Sequence, residues 1–398
     1  MNKKISLGLC ISLIIISITA TFATTMAASK QIYSRIMNNI SQRSQNYQSV
    51  EEISQIVSSY FYGSVSDQNQ LNASLTEGYV NGLGDLNSMY LDAAEYASYT
   101  AMLDGGVTGV GIETAFNYQT GKLVITYVYE GSPAEKAGLK ELDVITAIDN
   151  ATVTMSNYSS LRNLLYGSML SSVNIEYERN GETNVAETML GFSIPSVKSS
   201  LYGNVGYIKI SGFYKNTASE FKAAAEKLIE NGAESLVFDV RNVSSGTIDY
   251  AAQVIDVIVP AISKNIAIAK NKNGEVYKIY TAENSNITLP FAVLINNGTS
   301  GPAELFACDM RDISQAHLIG TKTAGVGTMQ EVFTLSDGGA VLLTVALVEP
   351  NGGEAAVYNG VGIAPTVEVT LNSVSYNLEL LTVEQDNQLS TALNMMAS

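Results

Sequence analysis

The sequence predicts an α+β multidomain protein: a helical N-terminal region, a small β module, and an α/β domain on a largely parallel sheet. Three patterns predict this order. Apolar residues recur at helical spacing up to about residue 100, and short β-runs separated by turn residues follow to about residue 190. Strands then alternate with amphipathic helices to about residue 370. That alternation calls for parallel strands joined by crossover helices.

Composition supports a folded chain. Of 398 residues, 46% are hydrophobic and only 15% charged, enough apolar material for a sizeable core. The net charge is −16, with no basic run beyond the first few residues, which excludes a phosphate-tracking nucleic-acid binder. The two cysteines, Cys10 and Cys308, give no disulfide framework, and one histidine, His317, leaves no Cys/His set for zinc. No metal and no cofactor is expected. Cys308 reads as a small core residue in the run Leu305-Phe306-Ala307-Cys308, and His317 as structural or surface.

Residues 1–29 open with Lys3 and Lys4 and continue uncharged from Ile5 to Ser29, the pattern of an export signal with its positive end in the cytoplasm. The apolar stretch of about 24 residues is long enough to anchor in a bilayer. Thr21-Phe22-Ala23 and Thr25-Met26-Ala27 are imperfect cleavage sites, so an anchor and a cleaved signal both stay open. Either way the rest of the chain is expected outside the cytoplasm, on the outer membrane face or secreted. A short basic start and few cysteines suit a bacterium with its cell wall outside a single membrane. Residues 30–104 form the helical cap region, with Ile53, Ile56, Val57 and Tyr60 at i, i+3, i+4, i+7 spacing, then Leu71, Leu75 and Val80.

Residues 105–190 carry the β module. Lys122–Val128 and Asp143–Asp149 read as strands, and Val173–Glu178 alternates with period two before an Asn180-Gly181 hairpin turn. Pro133 and Gly138 bracket a short helix. The phrase from Gly131 to Leu139, followed by Asp143-Val144-Ile145, resembles a PDZ domain, as does Gly109-Val110-Gly111-Ile112 with a peptide-groove loop. The resemblance implies that Gly109, Val110, Gly111 and Ile112 bind peptide, their N–H groups receiving a C-terminal carboxylate while the peptide adds to the sheet edge. Glu141-Leu142 departs from the usual Pro-Gly before the Asp-Val-Ile strand, in a loop away from the groove.

Residues 191–370 supply the α/β domain. Val205–Ile210, Leu236–Val240 and Phe291–Ile295 read as strands, and Thr217–Asn231, Tyr250–Val259 and a segment from Pro302 as helices. Residues 371–398 are a tail with a short helix from Gln388 to Ala397. Several phrases here, among them Phe238-Asp239-Val240-Arg241-Asn242, Ile319-Gly320-Thr321-Lys322-Thr323 and Gly360–Pro365, resemble the C-terminal processing (tail-specific) serine peptidases. Val205–Ile208, and Tyr90-Leu91-Asp92 with Glu95-Tyr96 in the cap, carry the same likeness. The resemblance spans about Ile53 to Leu393 and implies a ClpP/crotonase-like α/β core with a Ser-Lys dyad, the lysine acting as general base for the serine.

In the family the serine stands three residues before a Glu, and the lysine four before a Gln. Here those slots, 25 residues apart as in the family, hold Gly301 before Glu304 and Val326 before Gln330, the supporting residue. Glycine offers no nucleophile, and valine takes no proton. The family's Asn-x-Pro-Gly-Gly oxyanion loop reads Asn242-Val243-Ser244-Ser245-Gly246, so the oxyanion region falls on Ser245, Gly246 and Pro302. Gly301 and Pro302 still suit a helix start, with Glu304 at its positive end. Asp239 and Arg241 read as ending a buried strand. A displaced dyad of Ser300 and Lys322 is the alternative source of chemistry, although neighbouring residues point in different directions.

The resemblance thus implies a protein that binds polypeptide C-termini or unfolded segments on a peptidase scaffold without cutting them, a pseudopeptidase. It would be held at the membrane by residues 1–29 and be able to associate with copies of itself or related peptidases. The alternative is a working serine endopeptidase that cleaves near substrate C-termini.

Overall fold

Strands Ser235–Asp239 and Phe291–Ile295 are buried along their whole length, the mark of a sheet covered on both faces. The computed structural model describes residues 26, 47–64, 68–167, 171–260, 265–283, 287–351, 358–372 and 378–397. The export segment predicted over 1–29 therefore lies outside the described residues, save for Met26. Among the described residues no helix is long and apolar enough to cross a membrane.

The chain divides at Asn72–Ala73 into two units. In the first, residues 47–60 are helical as their spacing predicts. The stripe expected to pack is exposed, however: Ile53, Ile56 and Tyr60 face solvent. Periodicity marks a face that needs cover; it does not provide the cover.

In the second unit, the six-stranded core sheet runs through Val197–Tyr202, Val205–Ile210, Ser235–Asp239, Phe291–Ile295, His317–Gly320 and Val367–Glu368. Only the first pair is antiparallel; the other four neighbours are parallel. Successive residues face opposite layers. Leu236 and Phe238 join the cluster with Phe221, Val254 and Phe306, from helices Thr217–Glu230, Ile248–Ile258 and Pro302–Ser314. Val237 points the other way, to Leu389 and Ala392 of the C-terminal helix Asn387–Met396. Each buried Phe, Leu or Val of these layers contributes about 1.5–3 kcal/mol.

A second sheet departs from expectation. Met89–Leu91, inside the region read as a helical cap, is a strand that pairs antiparallel with Ala340–Leu342. Asp92 then caps helix Ala93–Gly105, its carboxylate accepting from the N–H groups of Ala94 and Glu95. Asn265–Lys270, Val276–Thr281, Thr328–Thr334 and Ala340–Pro350 complete this sheet. A pairing between residues 89 and 342 leaves no local signature, so periodicity alone misses it.

The β module follows the sequence closely, with Lys122–Val128 a strand and Asn180 and Gly181 both at positive φ in the hairpin turn. Its main sheet ends on strand Ile112–Asn117, whose second edge pairs with no strand among the described residues. Helix Tyr158–Asn163 stands nearby, with Tyr158 stacked on Phe116 at 4.1 Å.

Candidate active site

Three loops leave the carboxyl ends of parallel core strands, where open α/β sheets bind ligands. They are residues 240–247 after Asp239, 296–301 after Ile295, and 321–327 after Gly320. The first two are tied by reciprocal amides: Asn242 N–H donates to Asn296 Oδ1 at 2.9 Å, and Asn296 Nδ2 donates to Asn242 Oδ1 at 2.8 Å. Thr299 Oγ1 adds a bond to the Val240 carbonyl at 2.9 Å, and the Ser300 N–H one to the Val243 carbonyl at 2.9 Å.

Glu304 ties the second loop to the third. It is fully buried, one turn into helix Pro302–Ser314. Its Oε2 accepts from the N–H of Gly301 at 3.0 Å and of Val326 at 2.7 Å. Its Oε1 accepts from the Gly325 N–H at 2.7 Å and from the Thr323 hydroxyl. One carboxylate oxygen thus holds both backbones, so Gly301 and Val326 are neighbours in space although 25 residues apart in sequence.

Gly301 has φ +58° and ψ −115°, and a Cβ there would meet no heavy atom within 4 Å. Glycine is therefore favoured by the backbone angle and not by lack of room. A strained residue between strand and helix is the geometry of a nucleophile elbow, here without the nucleophile. Val326 is half-buried and brings no titratable group. Pro302, the residue after the slot, has no N–H, so the oxyanion donor that such an elbow supplies at that position is missing too. Pro302, which the resemblance places in the oxyanion region, therefore cannot donate there, a correction that follows from its residue type alone.

The remaining candidates fall as follows. Gly246 lies at φ +106° against Phe213, whose carbonyl oxygen would be 2.0 Å from an added Cβ, so this position tolerates only glycine. The Ser245 carbonyl accepts from the Phe213 N–H at 3.0 Å, which fixes this loop. Gln330 Nε2 donates to the hydroxyls of Thr328 at 2.7 Å and Thr344 at 3.2 Å, within the second sheet. Ser300 is half-buried and Lys322 exposed; among the described residues no hydrogen bond joins their side chains. His317 is exposed and Cys308 buried, with burial pushing its thiol up. Among the described residues no His/Cys/Asp/Glu group is arranged to hold a metal ion.

Behind the site, Arg241 is buried between two carboxylates that sequence separation hides. Its guanidinium donates to Asp239 at 2.7 Å and to Asp386 at 2.8 Å, and also to Gln388 Oε1 at 3.0 Å. Burial alone would raise the Asp239 carboxyl, but the charge and hydrogen bonds of Arg241 hold it below its usual value.

In the β module, Gly109, Val110, Gly111 and Ile112 form a packed turn. Val110 and Ile112 are buried, and the Val110 N–H already donates to the Leu165 carbonyl at 3.0 Å. Gly111, at φ +88°, packs on Ser132, whose Cβ would lie 2.3 Å from a Cβ added there. One of the donors expected to receive a carboxylate is thus engaged internally. The opening nearby is a cleft of about 460 Å3 between the β module and the core, which reaches Asn242 and Val243. None of Ser300, Gly301, Lys322 or Val326 lines it.

Comparison with known proteins bears on both domains. Residues 204–369 match the model of peptidase family S41, and residues 108–190 that of the PDZ domain. The chain is similar to the carboxy-terminal processing protease CtpA of Bacillus subtilis (strain 168), at 30% identity over 73% of this chain and 62% of that protein. It thus spans less than two thirds of that relative's length. It is also similar to a protein of Staphylococcus haemolyticus (strain JCSC1435) described as a CtpA-like serine protease, at 24% identity over 95% of this chain and 82% of the relative. A crystal structure described as an S41 protease, from Bacteroides fragilis NCTC 9343, shares the fold. It has a TM-score of 0.55 at 21% identity, covering 84% of this chain and 92% of that one.

Proposed function

This chain belongs to peptidase family S41, with a PDZ domain ahead of the core, and from that premise we propose that it binds polypeptide C-termini without hydrolysing them. The observation that carries the reading is the shared Glu304 carboxylate. It brings the two slots of a Ser-Lys dyad together on a glycine and a valine. Acyl transfer to a serine needs a hydroxyl, a base to take its proton, and donors for the developing oxyanion. Gly301, Val326 and Pro302 each withhold one of these. The fold meanwhile keeps the open strand edge of the PDZ domain and the cleft beside it, which are binding features.

We place this activity outside the cytoplasm, on the strength of Lys3, Lys4 and the apolar stretch after them. The same stretch would hold the chain at the membrane.

The test is to incubate the purified chain with a fluorophosphonate probe. No specific labelling is expected. Labelling that disappears on Ser300→Ala would reinstate a working peptidase with a displaced dyad. Gly301→Ser with Val326→Lys is expected to stay inactive, because Pro302 still withholds its donor; adding Pro302→Ala is the step that allows labelling.

A further inference from the structure

The side chains that take up a one-electron oxidation most readily are tryptophan, thiolate and tyrosine, and this chain offers chiefly the last. It has 22 tyrosines and no tryptophan. Of its two cysteines, Cys10 falls outside the described residues. Cys308 is buried, and burial pushes its thiol up, away from the reactive thiolate. What an oxidised phenol does next depends on whether a second phenol is within reach.

Tyr118 and Tyr158 already meet hydroxyl to hydroxyl, at 2.7 Å. Phe116, near the end of strand Ile112–Asn117, sets both rings. Its face stacks on Tyr158 at 4.1 Å, and Tyr118 stands edge-on to it at 5.3 Å. The two tyrosine rings are 6.1 Å apart and steeply inclined, at 88°. Tyr118 is 49% exposed, and Tyr158 is half-buried at the start of helix Tyr158–Asn163, so the pair is open to an oxidant at the surface. Two other tyrosine pairs touch through their rings, Tyr127 with Tyr129 and Tyr202 with Tyr207. In each of those one hydroxyl is committed to a carboxylate, Tyr129 to Glu113 and Tyr207 to Asp239.

We propose that Tyr118 and Tyr158 form an oxidative cross-linking site, where a peroxidase and hydrogen peroxide join the two rings carbon to carbon. Each phenol gives up one electron and its hydroxyl proton. The two radicals couple through the ring carbons beside the hydroxyls. Each coupled carbon then loses its hydrogen as a proton, and a proton returns to each oxygen. In sum two C–H bonds break, one C–C bond forms, both hydroxyls are restored, and one peroxide is reduced to two waters. The link closes a loop between positions 40 residues apart, and a cross-link of that kind restricts the unfolded chain. It also pins helix Tyr158–Asn163 to the end of the edge strand, so oxidation fixes the spacing of two elements that the fold otherwise joins by ring contacts and one hydrogen bond. The oxidising exterior, where this chain is proposed to work, suits such chemistry. The covalent step itself does not depend on what the protein binds.

The test treats the dilute full chain with a heme peroxidase and hydrogen peroxide, then digests it for mass spectrometry. The expected product is a peptide pair joined through Tyr118 and Tyr158, lighter by two hydrogens than the sum of its parts, from chains that still run as monomers on a denaturing gel. Tyr118→Phe and Tyr158→Phe each keep the ring and remove the phenol, and each should abolish that product. Tyr127→Phe should leave it intact. Amide exchange in residues 158–163 should slow after oxidation of the unaltered chain and stay unchanged after the same treatment of Tyr118→Phe. Absence of the linked pair overturns the proposal. So does a link found instead between Tyr127 and Tyr129, or between chains through the exposed Tyr60 or Tyr62. Unchanged exchange in a chain that does carry the link overturns the claim that the helix is pinned.

Discussion

The junction of Gly301 with Val326 and the cluster around Arg241 both lie at the carboxyl ends of core strands, and each is organised by buried carboxyls. They differ in what neutralises them. Asp239 and Asp386 face a guanidinium, whereas Glu304 is held by three backbone N–H groups and one hydroxyl, with no ion pair among the described residues. The first is an ion-pair lock between the sheet and the C-terminal helix. The second is a lock on loop backbone, and none of its bonds involves the side chain at position 301 or 326. The teaching of the difference is that the shape of a dyad site can persist after its chemistry is gone, because the bonds that hold the shape are made by other atoms.

The comparison breaks most sharply at Arg241. Arg241→Ala leaves Asp239 and Asp386 buried without their cation, so urea denaturation should show a loss of about 3–5 kcal/mol. A loss near zero would mean that the cluster is decoration. Glu304→Ala comes next: it strands three N–H groups and a hydroxyl in a buried junction, with an expected cost of about 3 kcal/mol after local relaxation. That variant should also speed amide exchange at Gly301 and Val326 without touching the exchange of the C-terminal helix.

Acidity sharpens the contrast further. Burial, reinforced by the charge of Asp312, pushes the Asp309 carboxyl well above its ordinary value. The fold therefore prefers Asp309 protonated, and its contribution is complete below the unfolded pKa near 3.8 and lost as pH rises through the folded value. Asp239 works in the opposite sense. Its carboxyl is held below 3.8, so its contribution is present above that pH and is lost as pH falls through the folded value. Asp309→Ala should therefore gain stability relative to the unaltered chain as pH is raised from about 4 to 8, by at most about 1.4 kcal/mol per pH unit. Denaturation curves across that range check this; a constant difference contradicts it.

Gly301→Ala has the smallest effect. The position has room, and only its positive φ opposes a side chain, so the cost should be about 1 kcal/mol. A much larger loss would mean that the slot is closed and not merely empty.

These residues also show where the sequence was legible. Glycine at 301 and valine at 326 could be found by counting from Glu304 and Gln330, and the lost donor at Pro302 follows from its residue type. Strand Phe291–Ile295 lies where its continuous apolar run places it, because a strand buried on both faces needs no alternation. What periodicity did not reveal is long-range. Asp386 meets Arg241 across 145 residues, and Met89–Leu91 is a strand only because Ala340–Leu342 lies beside it. The cleft escaped for the same reason: Thr114, Arg162 and Lys198 come from separate elements and line one opening only once these are folded together.

Whether the molecule binds without cutting is tested most directly by mass spectrometry of an unfolded casein substrate after overnight incubation with the purified chain. Intact casein, part of it recovered bound to the chain, is the predicted result. Truncated products that vanish when the chain carries Ser300→Ala would contradict it.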